Sequence, residues 1–155
     1  MKNKAAVVLA TWFGAGFFPR APGTAGSLAA ILIAMALRAQ LGWGALEFGV
    51  LAACWAAPGV WAASVTAARS GSKDPGIVVI DEVVGQWVTV AGVTAFNWRS
   101  WLAAFLIFRL LDIWKPPPVR RLEKLAGGAG IMADDIMAGV YGAVLLYVAG
   151  RVNLY

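Results

Sequence analysis

The chain has 155 residues, 61% of them hydrophobic and only 14% charged, with a mean hydropathy of +0.73. That length fits one domain, residues 1–155, and that hydropathy points to burial in lipid rather than to an ordinary soluble protein. A net charge of +5 would draw anionic head groups and phosphate-bearing ligands, but scattered basic residues make no nucleic-acid footprint, and the absence of histidine excludes Ser-His-Asp hydrolases, histidine phosphatases and histidine zinc sites.

Lys2 and Lys4 precede an apolar stretch, residues 5–18, that superficially resembles a signal peptide. It runs straight into Pro19, Arg20 and Pro22 with further apolar spans behind it, so it is expected to be retained. As a helix it covers only about 21 Å, short of a hydrocarbon core of about 30 Å, and is predicted to be interfacial or re-entrant. Thr24 is a candidate N-cap for a span over residues 24–41, where the amides of Gly26 and Ser27 would lie beside Arg20. A second span over 43–68 contains a possible kink at Pro58-Gly59, and its single cysteine, Cys54, is expected to be a small buried apolar group.

A polar link then leads to a predicted helix over residues 75–96, with Asp74 as N-cap and Pro75 as its first residue. Residues 101–114 form a return helix stopped by Lys115 and three prolines, and 131–152 form the last span after a charged loop. Trp43, Trp98, Trp101 and Tyr155 fall near the ends of apolar runs, where interfacial aromatics belong. The expected fold is all-α: a polytopic membrane bundle of about five spans plus a short interfacial N-terminal helix.

In this arrangement Lys2, Lys4, Arg20, Arg69, Lys73, Lys115, Arg120, Arg121 and Lys124 share one side, and Arg38, Arg99 and Arg151 the other. The richer side is expected to be cytoplasmic. Seven of the eight carboxylates, all but Glu47, fall on that same side, although the basic residues alone orient it.

Acids are costly beside lipid, about +2.5 to +3.5 kcal/mol for Asp at a helix centre, so their clustering marks function. Asp81 and Glu82 would address one polar pocket, while Gly85, one turn on, admits a close neighbour; the pair suits Mg²⁺. A salt bridge to Arg109 is the bland alternative. Arg109 and Asp112 share a helix face, either as a simple internal ion pair or, with Lys115, as the mixture of charges that a phosphate and its metal need. Gly127, Gly128 and Gly130 precede Asp134 and Asp135, so free amides at a helix start could meet phosphate oxygens beside two metal-type carboxylates. A plain glycine loop and a dipole-complementing first turn would explain the same residues without a ligand.

Taken together, Pro22-Gly23-Thr24 with Gly26-Ser27, Asp81-Glu82 with Gly85 and Trp87, Phe108-Arg109 with Asp112 and Lys115, and Gly127-Gly128 with Gly130 and Asp134-Asp135 resemble the phosphatidylglycerophosphatase A family. The motifs run in the family's order over most of the chain. The resemblance implies Mg²⁺-dependent removal of the terminal phosphate from phosphatidylglycerophosphate in the bacterial cytoplasmic membrane, by an all-helical bundle with one central helix. On that basis Asp81, Glu82, Asp134 and Asp135 are the expected Mg²⁺ ligands, with Asp112 as a further ligand or general base. Arg109, Lys115 and Arg20 would neutralise phosphate oxygens, helped by Thr24, Ser27 and the amides around Gly128 and Gly130.

Other chemistries fail on residues. Cys54 is followed six positions later by Val60 rather than the arginine of a cysteine phosphatase, and no Asp-x-Asp is present. A small transporter with an acid-lined ion site is the rival reading, but the acids gather at one face only.

Overall fold

The structure is a computed structural model describing residues 2–155, with side chains from residue 4 onward. Its elements are α1 (Lys2–Ala10), a 3-10 turn (Ala15–Phe17), α2 (Pro22–Leu41), α3 (Ala45–Ser70), α4 (Ile80–Val90), α5 (Trp98–Trp114), α6 (Val119–Leu122) and α7 (Gly128–Arg151). No strand occurs among the described residues. By length and composition α2, α3 and α7 are able to cross a bilayer.

The two long N-terminal helices begin and end on backbone chemistry. Pro22 opens α2, where its missing N–H costs nothing, and Gly42 closes it in the left-handed region at φ 71°. Ala21 is the N-cap, so Thr24 sits inside the first turn rather than capping it. In α3, Glu47 accepts the Gly44 N–H at 2.9 Å, and the helix runs unbroken through Pro58. Cys54 is exposed on its flank, not buried as expected, because α3 turns Phe48, Ala52, Gly59 and Ala62 inward instead.

The largest departure from expectation is α4. Its 11 residues, about 16 Å long, replace the helix predicted over residues 75–96. Two tertiary contacts explain the late start. The Val79 N–H donates to Ala10 O at the end of α1 (2.8 Å), and the Ile77 carbonyl lies directly against Gly16. Ile77 and Val79 thus turn their backbone to the N-terminal segment, while the Val78 N–H donates to Pro75 O (2.9 Å). Asp74 caps nothing, and Asp81 and Glu82 stand in the first turn of α4 rather than two turns inside.

Nearly every residue of α4 is buried, and the helix touches α2, α3, α5 and α7. Trp87 anchors it, with Nε1 donating to Ala30 O of α2 (3.1 Å) and the ring edge-on to Trp12. Gln86 Nε2 donates to Ala104 O of α5 at 3.0 Å. The most extensive pairing is with α7, where Gly85 and Gly139 let the two backbones meet. Outward, α5 carries Leu102, Leu106, Leu110 and Ile113 on one exposed stripe, and α7 exposes Val140, Val144 and Val148. An apolar stripe at helical spacing facing outward suits lipid, not water.

Successive long helices alternate in direction, so their ends gather at two poles. At one, Arg38 donates to the Gly42 and Trp43 carbonyls (2.9 and 3.0 Å) and stacks on Phe96, while Tyr155 donates to Leu146 O and accepts from the Thr94 N–H. The other pole holds the acids.

Candidate active site

All seven carboxylates between Asp74 and Asp135 line one cavity of about 410 Å³. Its walls are the N-terminus of α2 (Pro22, Gly23), the link after α3 (Lys73, Asp74), the first turn of α4, the C-terminal end of α5 with Lys115, and the stretch from α6 into α7. Residues 22–23, 73–82 and 112–135 meet there.

Asp81, Glu82 and Asp135 form the tightest group, each offering an oxygen within 4.8 Å of the others. Asp81 Oδ1, Glu82 Oε2, Asp134 Oδ1 and Asp135 Oδ2 are buried without a hydrogen-bond partner among the described residues. Buried anionic oxygens left unpaired are expensive, and a hard divalent cation satisfies several at once. The all-oxygen donor set therefore fits Mg²⁺ or Ca²⁺.

Two cations beside these acids, Arg109 and Lys115, are paired with carboxylates. Arg109 Nη1 donates to Asp112 Oδ2 at 2.6 Å and lies 3.9 Å from Glu82 Oε1. Its guanidinium stands behind the acids, holding both in place, and is not part of the cavity wall. Lys115 sits in the left-handed region at φ 49°, ending α5, and its Nζ donates to Asp134 Oδ2 at 2.6 Å with Glu123 Oε1 3.4 Å away. Burial works against the Lys115 ammonium, but the hydrogen bond and charge of Asp134, with Glu123 and Asp135, outweigh it. Its pKa is raised above the ordinary lysine value, and the side chain is a cation at any physiological pH. Asp134, one of four expected metal ligands, is thus turned to Lys115, with its other oxygen buried and unpaired.

The predicted phosphate contacts fare differently. The Gly128 N–H donates to Ser64 Oγ of α3 (2.8 Å) and the Gly130 N–H to Gly127 O (3.1 Å), so neither amide is free. Helix α7 already begins at Gly128, which places Asp134 and Asp135 beyond its first turn. Gly130 lines the cavity, whereas Gly128 packs against α3. Arg20 is exposed at φ 74°, Thr24 is half-buried, and Ser27 is buried with its Oγ unpartnered; none of them lines the cavity.

Sequence reasoning missed Gly23 and the cations Lys73, Arg120 and Lys124, which do line it. The signal for the cations was the charge density of their links, and for Gly23 its place between Pro22 and Thr24. A Cβ on Gly23 would collide with Glu82 Oε1 and lie 3.2 Å from Arg109 Nη1. Gly23→Ala is expected to push the Glu82 carboxylate from the acid group while the fold survives, because the end of a flexible side chain yields. Misplacing a group by about 1 Å costs roughly 100-fold. Steady-state kinetics and thermal melting together check this; full activity would show that Glu82 has room to spare.

A cavity lined by paired acids and a fixed lysine, on an all-helical scaffold with exposed apolar stripes, is the setting in which the chain's relatives become informative. A family profile described as Phosphatidylglycerophosphatase A matches residues 8–150. A Bacteroides thetaiotaomicron protein named putative phosphatidylinositol-3-phosphatase is 43% identical over 147 residues, covering 92% of each chain. Phosphatidylglycerophosphatase A of Escherichia coli K12 is 42% identical, covering 93% of this chain and 83% of its own, and that of Haemophilus influenzae is 38% identical, covering 90% and 85%. No solved structure matches significantly. All the acid, glycine and Lys115 positions described above lie inside the matched region, and the chain belongs to the phosphatidylglycerophosphatase A family.

Proposed function

We propose that this chain is a Mg²⁺-dependent phosphatase of the bacterial cytoplasmic membrane. It hydrolyses phosphatidylglycerophosphate to phosphatidylglycerol and inorganic phosphate. The observation that carries this reading is the grouping of Asp81, Glu82 and Asp135, with unpaired buried oxygens, in the wall of one cavity that also presents Lys115. Those three acids would hold the ion, whose chemistry is to polarise the phosphoryl group and lower the pKa of a bound water.

The chain's own groups do the rest. Lys115, fixed by Asp134, neutralises charge on the phosphate oxygens as it develops. Asp112, held by Arg109, takes a proton from the attacking water, and the glycerol oxygen takes one from solvent water in the open cavity as the phosphorus–oxygen ester bond breaks. Arg109 acts through Asp112 and Glu82 rather than on the phosphate.

The bilayer placement follows from α2, α3, α5 and α7 spanning or nearly spanning, with α4 ringed by them. A short helix at membrane depth is tolerated where protein surrounds it. The cavity pole carries the basic majority and faces the cytoplasm. Cysteine placed at Ser72 or Glu123 should react with an impermeant thiol reagent only from the cytoplasmic side, and at Gln40 or Asn97 only from outside; the reverse pattern would overturn the orientation.

A transporter is not favoured, because beyond the acids Val83, Val84, Trp87, Phe108 and Met132 are buried and the buried Gln86 and Thr89 side chains donate to the Ala104 and Gly85 carbonyls. The relative named for a phosphatidylinositol 3-phosphate activity does favour a second substrate to compare. Phosphate release should occur from phosphatidylglycerophosphate in mixed micelles, stop with EDTA and return with Mg²⁺ but poorly with Ca²⁺, whose larger shell fits the clamp badly. Faster release from phosphatidylinositol 3-phosphate would move the assignment to that lipid.

A further inference from the structure

The cavity is charged unevenly. Asp81, Asp112, Asp134 and Asp135 are buried, whereas the exposed part of the wall carries Lys73, Arg120 and Lys124 beside two acids, Asp74 and Glu123, the second of them engaged by Lys115. Lys115 is engaged by Asp134 and Glu123, but none of these three exposed cations makes an ion pair with a described residue. They reach one cavity from two links, Lys73 from the segment after α3, and Arg120 and Lys124 from α6 and the turn behind it. Cations in an acid-rich wall would find carboxylate partners if neutralising acids were their role. Here the acids pair elsewhere or stay unpaired, and the cations are left toward the opening.

We propose that Lys73, Arg120 and Lys124 form a second anion subsite that takes the internal phosphodiester of the lipid, apart from the acid-lined subsite for the reacting phosphomonoester. The inference rests on the proposed function and deepens it. In such a lipid the two phosphates are separated by a glycerol unit, and the acyl chains hang from the diester side. With the monoester drawn to the deep acids, the diester must lie nearer the opening. It is a permanent monoanion with no role in bond breaking, so fixed cations are the groups that recognise it. The buried floor is acidic and the exposed rim, with three cations against Asp74 and Glu123, is net positive, which matches the order of the two phosphates along the head group. Seven carboxylates against four wall cations also leave the cavity anionic overall, which makes the placement of the cations decisive for a substrate carrying two phosphates.

The test is kinetic, with the full-length protein in mixed micelles, Mg²⁺ present, and phosphatidylglycerophosphate as substrate. The triple variant Lys73→Gln, Arg120→Gln, Lys124→Gln alters exposed side chains. Its KM should rise by about tenfold or more, since charge-assisted contacts are lost, with kcat falling far less. Inhibition by inorganic phosphate, which resembles the monoester end alone, should shift by less than about threefold. The charge-retaining triple Lys73→Arg, Arg120→Lys, Lys124→Arg should recover most of the lost affinity. A KM that does not move would overturn the subsite, and so would parallel rises in KM and in the phosphate inhibition constant, which mean general attraction of anions. If the unaltered protein releases no phosphate from this lipid, the functional reading itself falls and the subsite with it.

Discussion

Asp81→Asn and Asp135→Asn should each lower phosphate release by roughly 10³-fold at saturating Mg²⁺, the scale of removing one preorganised charge contact from a reacting centre. An amide keeps the shape of the carboxylate, so the change is one of charge and ligand strength. The two residues sit on different helices, α4 and α7, yet offer oxygens to the same group. Each loss should therefore appear with either substitution alone, and the double variant should be little worse, because groups acting as a unit are strongly non-additive. Folding should be preserved or improved, since like charges held close in a buried site oppose the compact state. A melting temperature in EDTA at or above that of the unaltered chain, with activity nearly gone, is the expected pair of results. Near-normal turnover in Asp135→Asn would remove this residue from the metal group.

Gly85→Val should have the largest effect on stability. A Cβ at Gly85 would stand 2.6 Å from the Asp135 carbonyl and 2.6 Å from Phe108 Cε2, so the two further methyls of valine have nowhere to go. Backbone cannot yield as a side-chain tip does. Gly139 faces the same crossing from α7, close to the Gly85 carbonyl, and leaves no slack on the other side. Overpacking of this kind costs about 3 kcal/mol, and here it also pushes back the residue that carries a proposed ligand. The variant should unfold at markedly lower temperature in detergent and lose activity together with its fold. An unchanged unfolding midpoint would show that α4 and α7 can separate at no cost.

What the sequence makes legible follows from the expense of charge beside lipid. Because seven acids cannot be placed casually in so apolar a chain, their convergence is readable from composition and spacing alone, and so are the three long helices, which need only length and apolar composition. The unreadable parts depend on contacts between distant residues. The late start of α4 is set by Ala10 and Gly16 against Ile77 and Val79, more than sixty residues away along the chain. The amide of Gly128 looks free in the sequence and is taken by Ser64. Asp134 looks like its neighbour Asp135 and is distinguished only by Lys115 at the end of another helix. Ser27 and Thr24 carried a phosphate-type pattern, yet the residue of α2 that meets the acids is Gly23, through its lack of a side chain.

The short, encased α4 has a consequence for how the protein is assembled. An isolated segment of 11 residues spans about half the hydrocarbon thickness, and this one opens with two acids. During biosynthesis it has neither the apolar length nor the neutrality to partition into lipid unaided. In the proposed membrane placement its entry would be coupled to that of α3 and α5, the helices on either side in the chain, with α2 already made to receive Trp87. Of the helices around α4, α7 is made last, and it carries Asp134 and Asp135 to the waiting acids of α4. The site therefore exists only once α7 has been made and has docked, so a chain stalled before residue 135 holds Asp81 and Glu82 without the third acid of their group.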